Sequence, residues 1–152
     1  RGEPILHPGC PLTAHSGPIS RVTFSHDGAQ VISGCEEDNT VIVWDVASGV
    51  RVNDLAGAEF ALVEGLSNAH KRDRWHILTA LGDMLLIYEC GKDQQHAGNG
   101  AAAAPVALGA MAPVARFKAP QRILSVRCHG AAICVGCEGG ALLVLEAPFL
   151  TS

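Results

Sequence analysis

His15, Ser33 and Asp38 supply the three residue types of a nucleophilic triad, in which an imidazole activates a hydroxyl and a carboxylate orients the imidazole. Their placement argues against that use. Ser33 lies mid-strand in Val31-Ile-Ser-Gly34, whereas a hydrolase serine sits on an exposed elbow of the G-x-S-x-G type. Strand placement is expected to deny these groups triad geometry, so a hydrolase is the lesser alternative. A second set, Cys128, His129, Cys134 and Cys137, offers zinc-ligand types and includes a C-x-x-C. Cys134 falls inside a strand of alternating side chains, so Cys137 points to the other face unless a turn begins at Val135. A zinc-binding structural module is therefore a second alternative. Gly136-Cys-Glu-Gly-Gly140 has the glycine content of a phosphate loop but lacks the Gly-Lys-Ser/Thr ending and a following helix. It reads as a hairpin turn. No catalytic residue, metal or cofactor is assigned.

The elements that position these residues come in repeats. Ile19 to Phe24 reads as a strand, Ser25-His-Asp-Gly28 as a turn, Gln30 to Ser33 as a second strand and Glu36 to Asn39 as a polar turn. Thr40-Val-Ile-Val-Trp-Asp45 is a β-branched third strand, and Ser48-Gly49 turns the chain into a fourth, Val50 to Leu55. Four short strands over about 40 residues make the size of one propeller blade. The pattern recurs in Glu59 to Glu64, Trp75 to Thr79 and Met84 to Glu89, with Gly82-Asp83 as the inner turn and Val114 to Phe117 as the closing strand. A third copy runs Ile123 to Cys128, Ala132 to Val135 and Ala141 to Glu146. Residues 91–113 interrupt the second copy. They hold few large apolar side chains and read as a flexible insertion. The mixed-sign run Lys71-Arg72-Asp73-Arg74 reads as a solvated hairpin tip.

The segment from Ala14 to Gly28, continuing through Val31-Ile-Ser-Gly34 to Val41-Ile-Val-Trp-Asp45, resembles a WD repeat. The resemblance implies a structural tetrad: a histidine before the first strand, a hydroxyl in the second, an acid in the next turn and a tryptophan ending the third. Those positions hold His15, Ser33, Asp38 and Trp44. One extra residue in Glu36 to Asn39 leaves the acidic place to either Asp38 or Glu37. A buried indole N–H needs an acceptor; a serine hydroxyl can accept it and pass the chain on to histidine, which the acid orients. In the second copy Tyr88 stands near the tryptophan position and no histidine matches. The third has Leu145 there and Ala119-Pro120 in place of the histidine. Both are expected to cohere by apolar packing without the polar network. Residues 119–150 further resemble the C-terminal blades of NACHT and WD repeat proteins, although no nucleotide-binding loop is present.

The resulting expectation is an all-β fold, a partial β-propeller of about three four-stranded antiparallel blades, the last incomplete. Residues 1–13 are assigned to the outer strand of a preceding blade, carried by Pro4 to His7. Residues 14–55 form a WD repeat, 56–118 a degenerate repeat with the 91–113 insertion, and 119–152 a degenerate terminal repeat. Propellers close with roughly four to eight blades. Three blades therefore need the remainder of a propeller, and the missing strand after Glu146 together with a start at Arg1 leads us to expect part of a longer chain.

Composition narrows the function. The chain of 152 residues is 48% hydrophobic and only 17% charged, with mean hydropathy +0.22, so some apolar surface is expected to meet protein. A net charge of -4 offers no footprint for nucleic acid. No stretch is apolar over the length needed to cross a bilayer, and no signal peptide is evident. Six cysteines without a secretion signal read as free thiols in a reducing, cytoplasmic setting. The resemblance implies a non-catalytic scaffold that presents loops to protein partners. Loops before first strands and between second and third strands share one face of such a fold, which makes Ser16, Gly17, Glu36, Glu37 and Asn39 the candidate contacts.

Overall fold

A computed structural model describes residues 2–63, 74–91 and 111–150. Its strands are β1 (Ile19–Phe24), β2 (Gln30–Cys35), β3 (Thr40–Asp45), β4 (Arg51–Ala56), β5 (Glu59–Val63), β6 (Arg74–Leu81), β7 (Met84–Gly91), β8 (Ala115–Lys118), β9 (Ile123–His129), β10 (Ala132–Cys137) and β11 (Leu142–Glu146). A short 3-10 helix, Pro148–Leu150, follows. Three antiparallel sheets result, ordered β1-β2-β3-β4, β5-β6-β7-β8 and β11-β10-β9. They form an open, partial β-propeller in which the third blade has three strands among the described residues.

Turn chemistry explains the strand ends. Asp27 accepts from the Ser25 hydroxyl at 2.7 Å and the Ala29 N–H at 3.0 Å, closing the β1–β2 turn. Asp45, the acid after Trp44, accepts from the Ser48 N–H at 2.9 Å and from its hydroxyl, closing the β3–β4 turn. Those Ser48 bonds hold its carboxyl below the usual range. β6 runs on to Leu81 because a two-residue turn lets pairing continue to Leu81 opposite Met84.

The expected outer strand at Pro4 to His7 does not form; residues 2–18 carry no strand. A strand needs a hydrogen-bonding neighbour, and no fourth-blade sheet among the described residues offers one. Residues 71–73 of the charged run and 92–110 of the insertion lie outside the described residues.

Each sheet has a leading face, toward the next blade, and a trailing face, toward the previous one. Ile32, Val41, Val43 and Leu55 on the leading face of blade 1 pack with Phe60, Ile77, Leu86 and Tyr88 on the trailing face of blade 2. Ala61, Leu78, Leu85 and Ile87 on the leading face of blade 2 pack with Val126, Ile133, Val135 and Leu145 on the trailing face of blade 3. Both faces of blade 2 are thus buried. This is why β6 and β7 read as nearly continuous apolar runs rather than alternating ones. Leu150 in the 3-10 helix is buried in the second joint, and Phe149 meets the His76 ring edge-on at 6.4 Å.

The sheets are also stitched along one rim by main-chain bonds. Gly57 N–H donates to Asn39 O at 2.9 Å, Ile123 N–H to Gly82 O at 2.8 Å and Ala119 N–H to Asp83 O at 2.8 Å. In each case the turn between second and third strands of one blade holds the lead-in of the next.

Candidate functional site

The polar cluster of blade 1 is built from four places in the chain: the loop before β1, the middle of β2, the β2–β3 turn and the end of β3. Trp44 Nε1–H donates to Ser33 Oγ at 2.8 Å. Because that oxygen accepts the indole, its own proton goes to His15 Nε2, also at 2.8 Å. His15 therefore carries its proton on Nδ1 and donates it to Asp38 Oδ2 at 3.0 Å. Asp38 also accepts from the Ser16 N–H at 3.1 Å, the Thr40 N–H at 3.0 Å and the Thr40 hydroxyl at 2.6 Å. Burial by itself raises the Asp38 pKa; the bonds from Thr40, His15 and Ser16 outweigh it and hold the carboxyl well below the ordinary range. Asp38, not Glu37, occupies the acidic place.

One expectation about this cluster needs correcting. Strand placement does not deny Ser33, His15 and Asp38 an aligned geometry, since hydroxyl, imidazole and carboxylate are bonded in series as in a nucleophilic triad. What withholds nucleophilic chemistry is burial and saturation. Ser33 is 2% exposed, and its oxygen already accepts the Trp44 proton, so no substrate carbonyl can approach it. Cys35, which sequence reasoning did not single out, brings its thiol into the cluster: the ligating atoms of His15, Cys35 and Asp38 lie within 4.8 Å of one another. Both ring nitrogens of His15 and both oxygens of Asp38 are already engaged in hydrogen bonds, so the geometry is that of a satisfied network.

The alternative zinc set is not brought together. Alternation along β10 buries Ile133, Val135 and Cys137 on the trailing face and sends Cys134 to the leading face. No disulfide joins any of the six cysteines. Desolvation, and after it the Glu89 charge, pushes Cys90 up to about 12, which leaves an inert thiol. Glu138 to Gly140 form the expected hairpin turn, with Gly140 N–H bonded to Cys137 O at 3.0 Å.

Blade 2 holds a polar group that the sequence reading missed. Thr79 is buried on the same trailing face as Ser33 in blade 1, and its hydroxyl donates to Ala56 O at 2.6 Å. The Tyr88 hydroxyl, in the place of Trp44, is hydrogen-bonded to Thr79 and to the Ala56 backbone. A main-chain carbonyl thus stands where blade 1 has an imidazole. The backbone comes this close because of Gly57: at φ 137° a Cβ there would lie 2.7 Å from Thr79 Cβ. Blade 3 fills the equivalent positions with Val135 and Leu145 and is apolar, as expected.

The candidate contact residues share one rim. Ser16 N–H is bonded to Asp38, Gly17 abuts the Glu37 side chain, and Asn39, at φ 52°, holds Gly57 through its carbonyl. Ser16, Glu36, Glu37 and Asn39 are exposed and Gly17 is half-buried. On the first strands of the three blades, Glu59 of β5 pairs with Arg21 of β1 and lies 3.6 Å from Arg127 of β9. One carboxylate therefore ties all three blades, and Arg21 also lies 5.3 Å over the Phe60 ring.

Known proteins place this geometry in a class. Residues 7–45 match the family model described as "WD domain, G-beta repeat". The fold is similar to the WD40 repeats of RRP9, with TM-score 0.61 and 13% identity over 92% of this chain and 38% of that one. It is similar also to the WD40 β-propeller domain of Doa1, with TM-score 0.55 and 16% identity over 91% of this chain and 40% of that one. The computationally designed Ika4 protein is matched with TM-score 0.53 and 15% identity, over 88% of this chain and 68% of that one. No curated protein sequence matches. The chain is thus a partial β-propeller in which residues 7–45 are similar to a WD repeat, and it spans well under half of the two natural propellers.

Proposed function

We propose that the chain is a non-catalytic scaffold, a section of a larger propeller assembly whose rim binds protein partners. The observation that carries this reading is the division of labour in blade 1. His15, Ser33, Asp38 and Trp44 spend their polar atoms on one another, while the turns they anchor present Ser16, Glu36, Glu37 and Asn39 to solvent. A hydrogen-bonded interior network fixes the backbone of those turns, and preordered loops lose little entropy when a partner binds. The net charge of -4 favours protein over nucleic acid as the partner, in a cytoplasmic setting suited to free thiols. The ring is completed by further blades beyond the three.

The reading is tested by cross-linking capture of partners with the wild-type chain and with Glu36→Arg/Glu37→Arg. The variant is expected to unfold at the wild-type temperature and to lose the captured partners. A partner set unchanged by rim substitution places recognition elsewhere and overturns the assignment.

A further inference from the structure

The exposed apolar side chains are not spread evenly over the molecule. Among the described residues, Ile5, Leu6, Ile19, Val22 and Phe24 precede or lie on the first strand, and Leu124, Leu142 and Val144 lie on the last sheet. Blade 2, buried on both sides, exposes Leu81, with Val114 just before β8. The surplus therefore sits at the two ends of the arc.

Register shows what these end surfaces are. Val22 pairs with Ser33 and Phe24 with Val31, which puts both on the trailing face of blade 1. That is the face by which blades 2 and 3 receive their predecessors. Val144 pairs with Cys134, and Leu142 with Gly136, on the leading face of blade 3. That is the face by which blades 1 and 2 meet their successors. Val22 is 62% and Phe24 61% exposed, while Leu142 and Val144 are each 68% exposed. The chain thus carries both halves of one more blade-to-blade joint, at opposite ends, and cannot bring them together itself because three blades do not close a ring.

We infer that a second copy of the chain supplies the joint: the leading face of blade 3 in one copy packs on the trailing face of blade 1 in the other, and reciprocally. This rests on the reading that further blades complete the ring, and it names their source. Two arcs of three give six blades, inside the closing range of roughly four to eight, whereas three arcs overshoot it. The joint continues the packing used twice within the chain, with Val22 and Phe24 set against Leu142 and Val144, and Ser125, Arg127 and Glu146 beside them on the blade 3 face. The arrangement has twofold symmetry, but each contact joins unlike surfaces.

Light scattering behind size exclusion on the full chain tests this. A species of twice 15.8 kDa is expected at micromolar concentration. Val144→Glu and Phe24→Glu each place a charge in the joint and are expected to raise the dissociation constant at least about tenfold. Val50→Glu, on an exposed residue off both end faces, should leave it unchanged. Each variant is checked for an unchanged circular dichroism spectrum, since all three positions are solvent-facing. Mixing Val144→Glu with Phe24→Glu restores a dimer, because one of its two joints then pairs two unaltered faces. A folded monomer, an open polymer, equal loss with Val50→Glu, or failure of the mixture to reassociate overturns the inference. None of these results bears on rim-dependent partner capture, so the two readings fail separately.

Discussion

Replacing Ser33 with alanine is the sharpest test of what the blade 1 cluster does. The substitution removes one oxygen and almost no volume, so the loss is one of hydrogen bonding. Two buried groups are orphaned: the Trp44 Nε1–H, which loses its acceptor at 2.8 Å, and His15 Nε2, which loses its donor at the same distance. An unsatisfied buried polar group costs about 1–3 kcal/mol. The His15 side chain is 4% exposed, so water does not readily replace the serine. The expected destabilisation is about 2–4 kcal/mol, a large share of the roughly 5–15 kcal/mol that holds a typical domain folded. Denaturant unfolding of wild type, Ser33→Ala, Trp44→Phe and the double variant measures it as a cycle. Once the indole donor is gone, loss of the serine should cost less, and a coupling of about 1 kcal/mol or more is expected. A Ser33→Ala cost below about 0.5 kcal/mol, or zero coupling, would refute the network as a source of stability. A hydrolytic activity lost in an equally stable Ser33→Ala chain would refute it from the other side.

Blade 2 should respond in the same way but more weakly. Thr79→Val keeps the shape and removes the bonds to Ala56 and Tyr88, for an expected loss of about 1–2 kcal/mol by thermal unfolding, while Thr79→Ser keeps most of it. Gly57→Ala sets a Cβ against Thr79 at a strained φ and should cost about 2–3 kcal/mol, against about 1 kcal/mol for Gly82→Ala, where a Cβ meets open space. Acid should weaken the fold through Asp38. Its folded pKa lies below the free value of 3.8, so its contribution is complete above that pH and is lost as pH falls beneath it. Chemical unfolding followed from pH 6 down should show that slope, flattened in Asp38→Asn. Glu59→Gln should lower stability by about 1 kcal/mol at low salt and by less at high salt, since the groups it joins are partly exposed.

Much of the fold was legible because turns and strands alternate on a short period: every strand from Ile19 to Glu146 was located to within a few residues. The tetrad was legible because four unusual residue types stand at fixed places around those strands. The Thr79–Tyr88 pair was not, although a signal existed. Ser33 and Trp44 are eleven positions apart across a four-residue turn; Thr79 and Tyr88 are nine apart across the two-residue turn Gly82-Asp83. Aligning the copies on their turns superposes the pairs, whereas seeking a histidine hides them, because the acceptor in blade 2 is a peptide carbonyl with no residue type to find. The aligned serine, histidine and aspartate were misjudged for a related reason. Strand position tells which way Ser33 faces, but His15 arrives from a loop whose path the pattern does not describe. The Glu59 tie between blades was invisible, since it joins strands 38 and 68 residues away in the chain, at Arg21 and Arg127.

The inequality of the three blades has a physical logic in their surroundings. The trailing faces of blades 2 and 3 are covered by a neighbouring blade of the same chain, so apolar packing suffices there: blade 3 keeps no polar group at these positions and blade 2 a reduced pair. The trailing face of blade 1 has no such neighbour among the described residues, yet Trp44 and Ile42 on it are buried. Part of what holds that face is the loop that carries His15, fastened through Ser33 and Asp38. Hydrogen bonds supply direction where packing from one side is missing, and the network stands at the arc's end where that need is greatest. It leaves Val22 and Phe24 uncovered nearer the inner edge of the blade. The tetrad therefore orders the outer part of this face, and the bare strip along β1 is what remains for another blade to cover.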